Sequence, residues 1–241
     1  SDEIGIVSAS FNKMCRKINE MMEEMYQLGM EKRKEELKAL QAMMNPHFLY
    51  NTLDSIIWMA EGRKYEEVVL MTASLARLLR QSISNEDEVV PLAREVEYAK
   101  GYLTIQKMRY KDKLEFEIDV EPSILNIPLI KLVLQPIIEN AIYHGLKYKE
   151  SKGLLQVKGF MKDGNAVLQV IDNGVGMDEE TLSHIYDKHK VNYHSNGVGV
   201  YNVQKRLKLY YGENYGITYE SEKGVGTTAT ITIPGIQEES I

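Results

Sequence analysis

Along the first third of the chain, apolar residues recur at alternating spacings of three and four: Phe11, Met14, Ile18, Met21, Met25 and Leu28. That is a heptad seam and predicts a coiled coil. Leu37, Leu40 and Met44 resume the pattern out of register, which places a phase change near positions 29–34, and charged residues such as the run from Glu31 to Glu36 fill the other faces. The methionine stripe reads as packing rather than as a ligand site. A seam this narrow on one helix needs a partner, so a homodimer is expected. Val68, Val69, Leu75, Leu78 and Leu79 predict a second helix over 65–83, set off from the preceding one by Glu61-Gly62-Arg63-Lys64. Two such hairpins make a four-helix bundle. A third helix is expected over 92–110, after the turn at Asn85-Glu86-Asp87 and Pro91.

The rest of the chain is patterned differently. Strands are expected over 114–120, 154–161 and 165–172, a helix over 128–146, a helix over 197–211, and strands over 216–221 and 226–233. Asn126 before Pro128 suits an early helical turn. Asp163-Gly164-Asn165 is a hairpin signal. Strands adjacent in sequence with helices inserted between them predict one mixed sheet covered on one face by helices.

Composition narrows the class. The 241 residues are 44% hydrophobic and 27% charged, as in an ordinary globular protein. No apolar run approaches the ~20 residues of a membrane span, and the Ser-Asp-Glu start is not that of a signal peptide. A single cysteine, Cys15, excludes an internal disulfide framework and any multi-cysteine metal site. The chain therefore reads as soluble and from a reducing compartment. With 29 basic against 35 acidic residues the net charge is −6, and the basic residues are scattered, so no nucleic-acid partner is expected.

Three clusters in the second half carry chemistry. Glu139-Asn140 begins a polar stretch, with Tyr143-His144-Gly145 and Lys147, at the end of an otherwise apolar helix. A neutral amide oxygen such as that of Asn140 can take a hard cation like Mg²⁺. Asp172 closes the apolar run Val167–Ile171 and is followed by Gly174 and Gly176; an acid there can accept an exocyclic amine while the glycines let backbone approach a flat ligand. Gly197 and Gly199 open a helix, whose free N–H groups and positive dipole end favour phosphate. Each pattern alone is common. Together, in this order, they describe a site for a nucleotide with its metal.

These boxes resemble those of the GHKL (Bergerat-fold) ATPases: Glu139-Asn140-Ala141 their N box, Asp172-x-Gly174-x-Gly176 and Gly197-x-Gly199 their glycine boxes, Gly224-Val225-Gly226-Thr227 their closing glycine-threonine motif. Asn45-Pro46-His47-Phe48-Leu49-Tyr50-Asn51 resembles the phospho-acceptor box of LytS/YesM-like sensor histidine kinases, and Ser1–Gly5 with Phe11–Met14 is similar to the second half of a HAMP relay domain. The resemblance implies an α plus α/β protein: a signalling coiled coil over 1–36, a dimeric four-helix bundle with the phosphotransfer hairpin over 37–88, a linker helix over 89–113, and a Bergerat-type two-layer sandwich over 114–236. It implies ATP and Mg²⁺ as ligands. Asn140 would hold the metal, Asp172 would accept the adenine amino group, and Gly174, Gly176 and Thr227 would shape the adenine pocket. Gly197 and Gly199 would flank the phosphates beyond a mobile lid at about 177–196, with Lys147 and His144 reaching toward them; Glu139 is the base in hydrolytic relatives.

For His47 the resemblance implies the phospho-acceptor role, and imidazole chemistry supports it. With a reference pKa near 6.5, imidazole is mostly neutral and nucleophilic at pH 7. Pro46 leaves the carbonyl of Ala42 without its helical donor, so a kink beside His47 is expected. Asn51, one turn on, can orient a water that hydrolyses the phosphohistidine. Phe48 stands where many histidine kinases carry an acid, so the group orienting His47 is not given by its neighbours. His184, His189 and His194, five apart, fit no compact metal motif. The expected function is autophosphorylation of His47 and transfer to an aspartate of a response regulator receiver domain, on the cytoplasmic face of a bacterial membrane, with membrane segments upstream. Two alternatives stay open: a GHKL serine kinase or ATPase with a helical dimer arm, and a catalytically silent nucleotide-binding scaffold.

Overall fold

The computed structural model describes residues 46–83, 88–185 and 197–235, with ten further positions between 13 and 29. Those ten are helical and exposed; Met14, Ile18, Met21 and Met25 of the expected seam are among them. Phe11, Leu28, Leu37, Leu40 and Met44 lie outside the described residues, as do His189 and His194. The chain divides into two units, 1–51 and 52–241.

Helices α1 (Pro46–Glu61) and α2 (Tyr65–Ile83) flank the turn expected between them. The turn is a Schellman motif: Lys64 N–H bonds the Met59 carbonyl at 2.9 Å and Arg63 N–H that of Ala60 at 3.0 Å. The left-handed position falls on Arg63, with φ 58°, and not on Gly62. Strand β1 (Val89–Pro91) leads into α3 (Leu92–Tyr110), which packs against α2. Leu92, Glu95, Ala99, Tyr102, Leu103 and Gln106 are buried along one stripe of α3, at helical spacing.

Strands β2 (Leu114–Val120), β4 (Gly153–Lys162), β5 (Asn165–Asp172), β6 (Gly216–Glu222) and β7 (Gly226–Pro234) form one mixed sheet. Its order is β2-β4-β5-β7-β6; β2 and β4 are parallel and the other neighbours antiparallel. Alternate residues of β4 and β7 face inward, Leu155 and Val157 from one, Ala229, Ile231 and Ile233 from the other. Helices α4 (Leu134–Asn140) and α6 (Gly197–Tyr211) supply the opposing layer through Leu134, Ile137, Val203 and Leu207. A short helix, α5 (Glu179–Ser183), is capped by Asp178, whose carboxylate accepts from Thr181 N–H at 3.0 Å.

One expected element is corrected. The helix predicted over 128–146 starts only at Leu134, because Pro128–Ile130 is a strand, β3, paired antiparallel with β1 in the register Val89↔Ile130. The run 127–134 is apolar except for Lys131 and has no period of its own, so its partner strand decides the conformation. The chain then turns at Leu132, φ 62°, before entering the helix. Beyond Asn140 the helix widens into a π-helix, Ala141–Leu146, where Lys147 N–H reaches back to the Ile142 carbonyl at 2.9 Å. Among the described residues no helix is long and apolar enough to cross a membrane.

Candidate nucleotide site

Ile137, Asn140, Ala141, His144 and Gly145 share one face of α4 and its π-helical extension, at helical spacings of three and four. They form one wall of a cavity of about 580 Å³, within the range of small-molecule sites. The floor is a patch of sheet read across the ladder. Val170 and Asp172 of β5 pair with Ala229 and Thr227 of β7, and Ala229 pairs with Tyr219 of β6; all five line the cavity. Gly176, Met177, Thr181, His184 and Ile185 close the remaining side.

Asp172 is the polar centre of the floor. Its side chain is largely buried, and Oδ1 accepts the Gly174 N–H at 2.8 Å. Desolvation raises its pKa to about 6, opposed by hydrogen bonds from the Gly174 and Thr227 backbones and by the Lys149 ammonium. Gly145 makes room for it: a Cβ there would stand 2.7 Å from Asp172 Oδ1. The Gly145 carbonyl also accepts Val175 N–H at 3.1 Å, so wall and floor are stitched at this point. Gly176 has φ +64°, and a Cβ on it would fall 2.0 Å from the Glu222 carbonyl oxygen, so only glycine fits this turn. Ser221 fastens the loop to the last hairpin: its Oγ accepts Met177 N–H at 2.8 Å and lies 2.8 Å from Thr227 Oγ1.

Asn140 lines the same space and carries an unanswered atom. Its Oδ1 is buried and has no hydrogen-bond partner. A buried acceptor without a donor is costly, and a hard cation is the partner this oxygen suits. The residues present therefore fit Mg²⁺. His144 lines the cavity one turn later; desolvation and the nearby Lys147 charge lower its pKa, so it sits there as neutral imidazole near pH 7.

The other expected site residues are placed elsewhere. Glu139 does not line the cavity: it accepts Gln135 Nε2 at 2.8 Å and faces Tyr102 of α3, and burial raises its pKa. Lys147 is exposed, its Nζ 5.8 Å from the centroid of the Tyr148 ring. Gly174 acts on the site through its N–H to Asp172. Gly197 and Gly199 open α6, and Gly199 is not among the described lining residues of the cavity. His47 and Asn51 lie in α1, in the 1–51 unit.

Sequence reading placed Gly145 in a polar stretch without a role of its own and passed over Val170, Ala229, Tyr219 and Ser221. Two signals were available. Gly145 repeats the Ala141 face at i+4, and Val170 and Ala229 follow by the period of two from Asp172 and Thr227 once β5 and β7 are paired.

A helical segment followed by a nucleotide-sized cavity between a mixed sheet and its helical layer defines the class. Residues 35–114 match the family model described as histidine kinase, and residues 126–237 that described as histidine kinase-, DNA gyrase B-, and HSP90-like ATPase. The chain belongs to the histidine kinase family. It is 36% identical to sensor histidine kinase YesM of Bacillus subtilis over 97% of this chain and 39% of that protein. To sensor protein LytS of Oceanobacillus iheyensis it is 34% identical over 74% of this chain and 31% of that one. The chain thus spans well under half the length of the curated relatives it matches. Among solved structures it resembles the histidine kinase domain of the Erythrobacter litoralis EL346 blue-light activated histidine kinase, with TM-score 0.47 and 16% identity over 82% of this chain and 92% of that one. The ATPase family implies ATP binding.

Proposed function

We propose that this chain is the kinase portion of a two-component sensor, which phosphorylates itself on His47 from ATP and passes the phosphoryl group to an aspartate of a response regulator. The observation that carries the reading is the buried, unpaired Oδ1 of Asn140, a residue that lines the same cavity as Asp172, in a chain that bears the Asn45-Pro46-His47-Phe48 box. Asp172 accepts the adenine amino group, the Gly145 and Gly176 backbones form its slot, and Thr227 borders it beside Ser221. Asn140 would hold Mg²⁺, which would supply charge neutralisation at the transferring group when bound. Gly197 and Gly199, at the start of α6, offer backbone N–H groups to phosphate. Lys147 adds a cation that swings from its exposed position.

In the transfer, a nitrogen lone pair of His47 attacks the γ-phosphorus, the bond to the β-bridging oxygen breaks, ADP leaves, and the imidazole loses its N–H proton to solvent. The phosphoryl group then moves to a carboxylate oxygen of the receiver aspartate, and histidine is restored. Positioning rather than covalent chemistry from other side chains carries this step. Asn51 orients a water that hydrolyses the phosphohistidine, releasing inorganic phosphate. Glu139, turned toward α3, is a packing residue in this scheme.

The working unit is a homodimer: a coiled coil over 1–36 and a hairpin over 37–88 pair with a second copy, 89–113 links them to the ATP-binding part at 114–236, and upstream segments tether the whole to the cytoplasmic face of a bacterial membrane. Exposed Met14, Ile18, Met21 and Met25 support the pairing.

Incubation with γ-labelled ATP and Mg²⁺ tests the reading, with wild type beside His47→Gln and Asn140→Asp. An acid-labile, alkali-stable label lost in both variants is expected. A label that persists in His47→Gln sinks the acceptor assignment and favours a serine kinase. ATP binding with no label in any form favours a silent scaffold.

A further inference from the structure

The helix that carries Asn140 begins without a side-chain cap of its own: Val133, its N-cap, is apolar. Its first N–H groups are instead taken by a residue from another element. Glu95 of α3 is largely buried, and its carboxylate accepts Leu132 N–H at 2.8 Å, Val133 N–H at 2.9 Å and Leu134 N–H at 3.2 Å. The first bond is made by Oε1 and the other two by Oε2, so both oxygens are committed. A helix N-terminus leaves orphan donors and a positive dipole end, and a carboxylate answers both. The Arg206 guanidinium of α6 lies close enough to act electrostatically on the same carboxylate.

The connections reach further. The Leu92 and Ala93 N–H groups at the start of α3 bond the Ile127 and Leu125 carbonyls at 2.9 and 2.8 Å. Tyr211, at the end of α6, donates to the Pro128 carbonyl at 3.1 Å and accepts Ile130 N–H at 3.3 Å. On its other side α3 packs on α2, with Gly101 against Leu78. Leu134 precedes Asn140 by six residues, under two turns of a short helix. A shift of the helix start is therefore carried almost undiminished to Asn140. Asp172, by contrast, sits on β5 and is held by the Gly174 N–H.

We propose that Glu95 is a positioning residue through which α3, and with it the helical hairpin, sets the start of α4 and hence the orientation of Asn140 toward the phosphate end of the nucleotide. The proposal rests on the reading of Asn140 as the metal-holding residue. Glutamine is the sharpest substitution, since it keeps the shape but turns an NH₂ donor against backbone donors. Aspartate keeps the charge but is one methylene short of three bonds.

The test compares wild type, Glu95→Gln, Glu95→Asp and, as a stability control, Ile233→Ala, whose side chain is buried in β7 at the end of the sheet away from the cavity. Adenosine and Mg·ATP affinities are measured with the melting temperature and with amide hydrogen exchange. In Glu95→Gln the affinity for Mg·ATP is expected to fall about ten-fold or more, the value of a lost charged hydrogen-bond set, while adenosine binding stays within about two-fold, because Glu95 does not touch its pocket. Amides of residues 132–134 and 140–141 exchange faster in Glu95→Gln and not in Ile233→Ala. Glu95→Asp recovers part of the Mg·ATP affinity. Equal losses for adenosine and Mg·ATP, or losses that simply follow melting temperature as in the control, overturn the proposal. So does unchanged exchange at 132–134, whatever the nucleotide results. A wild type that binds adenosine but shows no added affinity for Mg·ATP overturns the Asn140 reading itself, and the positioning role falls with it.

Discussion

The helical hairpin and the sheet treat their apolar residues in opposite ways. In the sheet, Leu155, Val157, Leu168, Ile231 and Ile233 are wholly enclosed by the chain's own helices. On α1 and α2, Ile57 is 54%, Trp58 78%, Tyr65 67% and Val69 68% exposed. Apolar surface of this kind, at helical spacing, marks an interaction face. The sheet part completes its own core, whereas the hairpin leaves apolar surface uncovered, as the proposed dimer requires. The difference sorts the chemistry too. The cavity is assembled from one chain, and on the proposed reading the acceptor His47 belongs to the region that pairs with a second copy.

The largest expected effect breaks the comparison cleanly. His47→Gln should abolish the acid-labile label while leaving adenosine affinity within about two-fold, since the proposed acceptor is no part of the proposed adenine pocket and independent sites add; a shared loss would mean the two regions are not separable. Next, Asp172→Asn puts a donor against the adenine amine and should weaken adenosine binding by about ten- to a hundred-fold, the range of an unsatisfied buried pair. Calorimetry reads the affinity, and sedimentation should show an unchanged dimer. Ile57→Asp would bury a charge at the hairpin face and should weaken dimerisation about ten-fold or more, with nucleotide affinity intact. A variant that stays fully dimeric at low concentration would refute the assignment of that face.

Gly145→Ala comes next. Its methyl would stand 2.7 Å from Asp172 Oδ1, so the carboxylate must move, and adenosine affinity should drop by roughly ten-fold, as a strained contact of one to two kcal/mol requires. The hairpin should not respond. The smallest effect is that of pH. Folding raises the Asp172 pKa from 3.8 to about 6. The native state therefore binds the extra proton between those values, and this group's contribution to stability is greatest below about pH 4 and declines as pH rises through 6. Adenosine needs the ionised acceptor, so its affinity should weaken as pH falls through 6. The same titration of Asp172→Asn should be flat, and a matching slope there would assign the effect to another group.

Much of the fold was legible because its signals are local. The hairpin at Asp163-Gly164 and the strands on either side of it follow from turn chemistry and alternation, and β5 runs over the expected residues 165–172. Helix α6 likewise covers the expected 197–211. The mixed sheet follows from the order of elements. The segment 127–134 was not legible. Its residues suit a buried strand or a helix equally, and only pairing with Val89–Pro91 decides.

The candidate site divides in the same way. Asn140, Asp172, Gly176 and Thr227 announce themselves by residue type and spacing, and the structure brings them to one cavity. Glu139 shows the limit: it adjoins Asn140 in sequence, but one residue is a rotation of about 100° on a helix, and that turns it to α3 instead.

Residue chemistry and periodicity, then, determined which groups can bind a nucleotide and which helices want a partner, since both are properties of neighbours along the chain. Only the tertiary structure decided that Gly145 makes room for Asp172, that Ser221 ties the loop to the last hairpin, and that Glu95 caps a helix from 37 residues away. Those are contacts between segments whose approach no local pattern encodes, and they exist only once the sheet and its helices have packed.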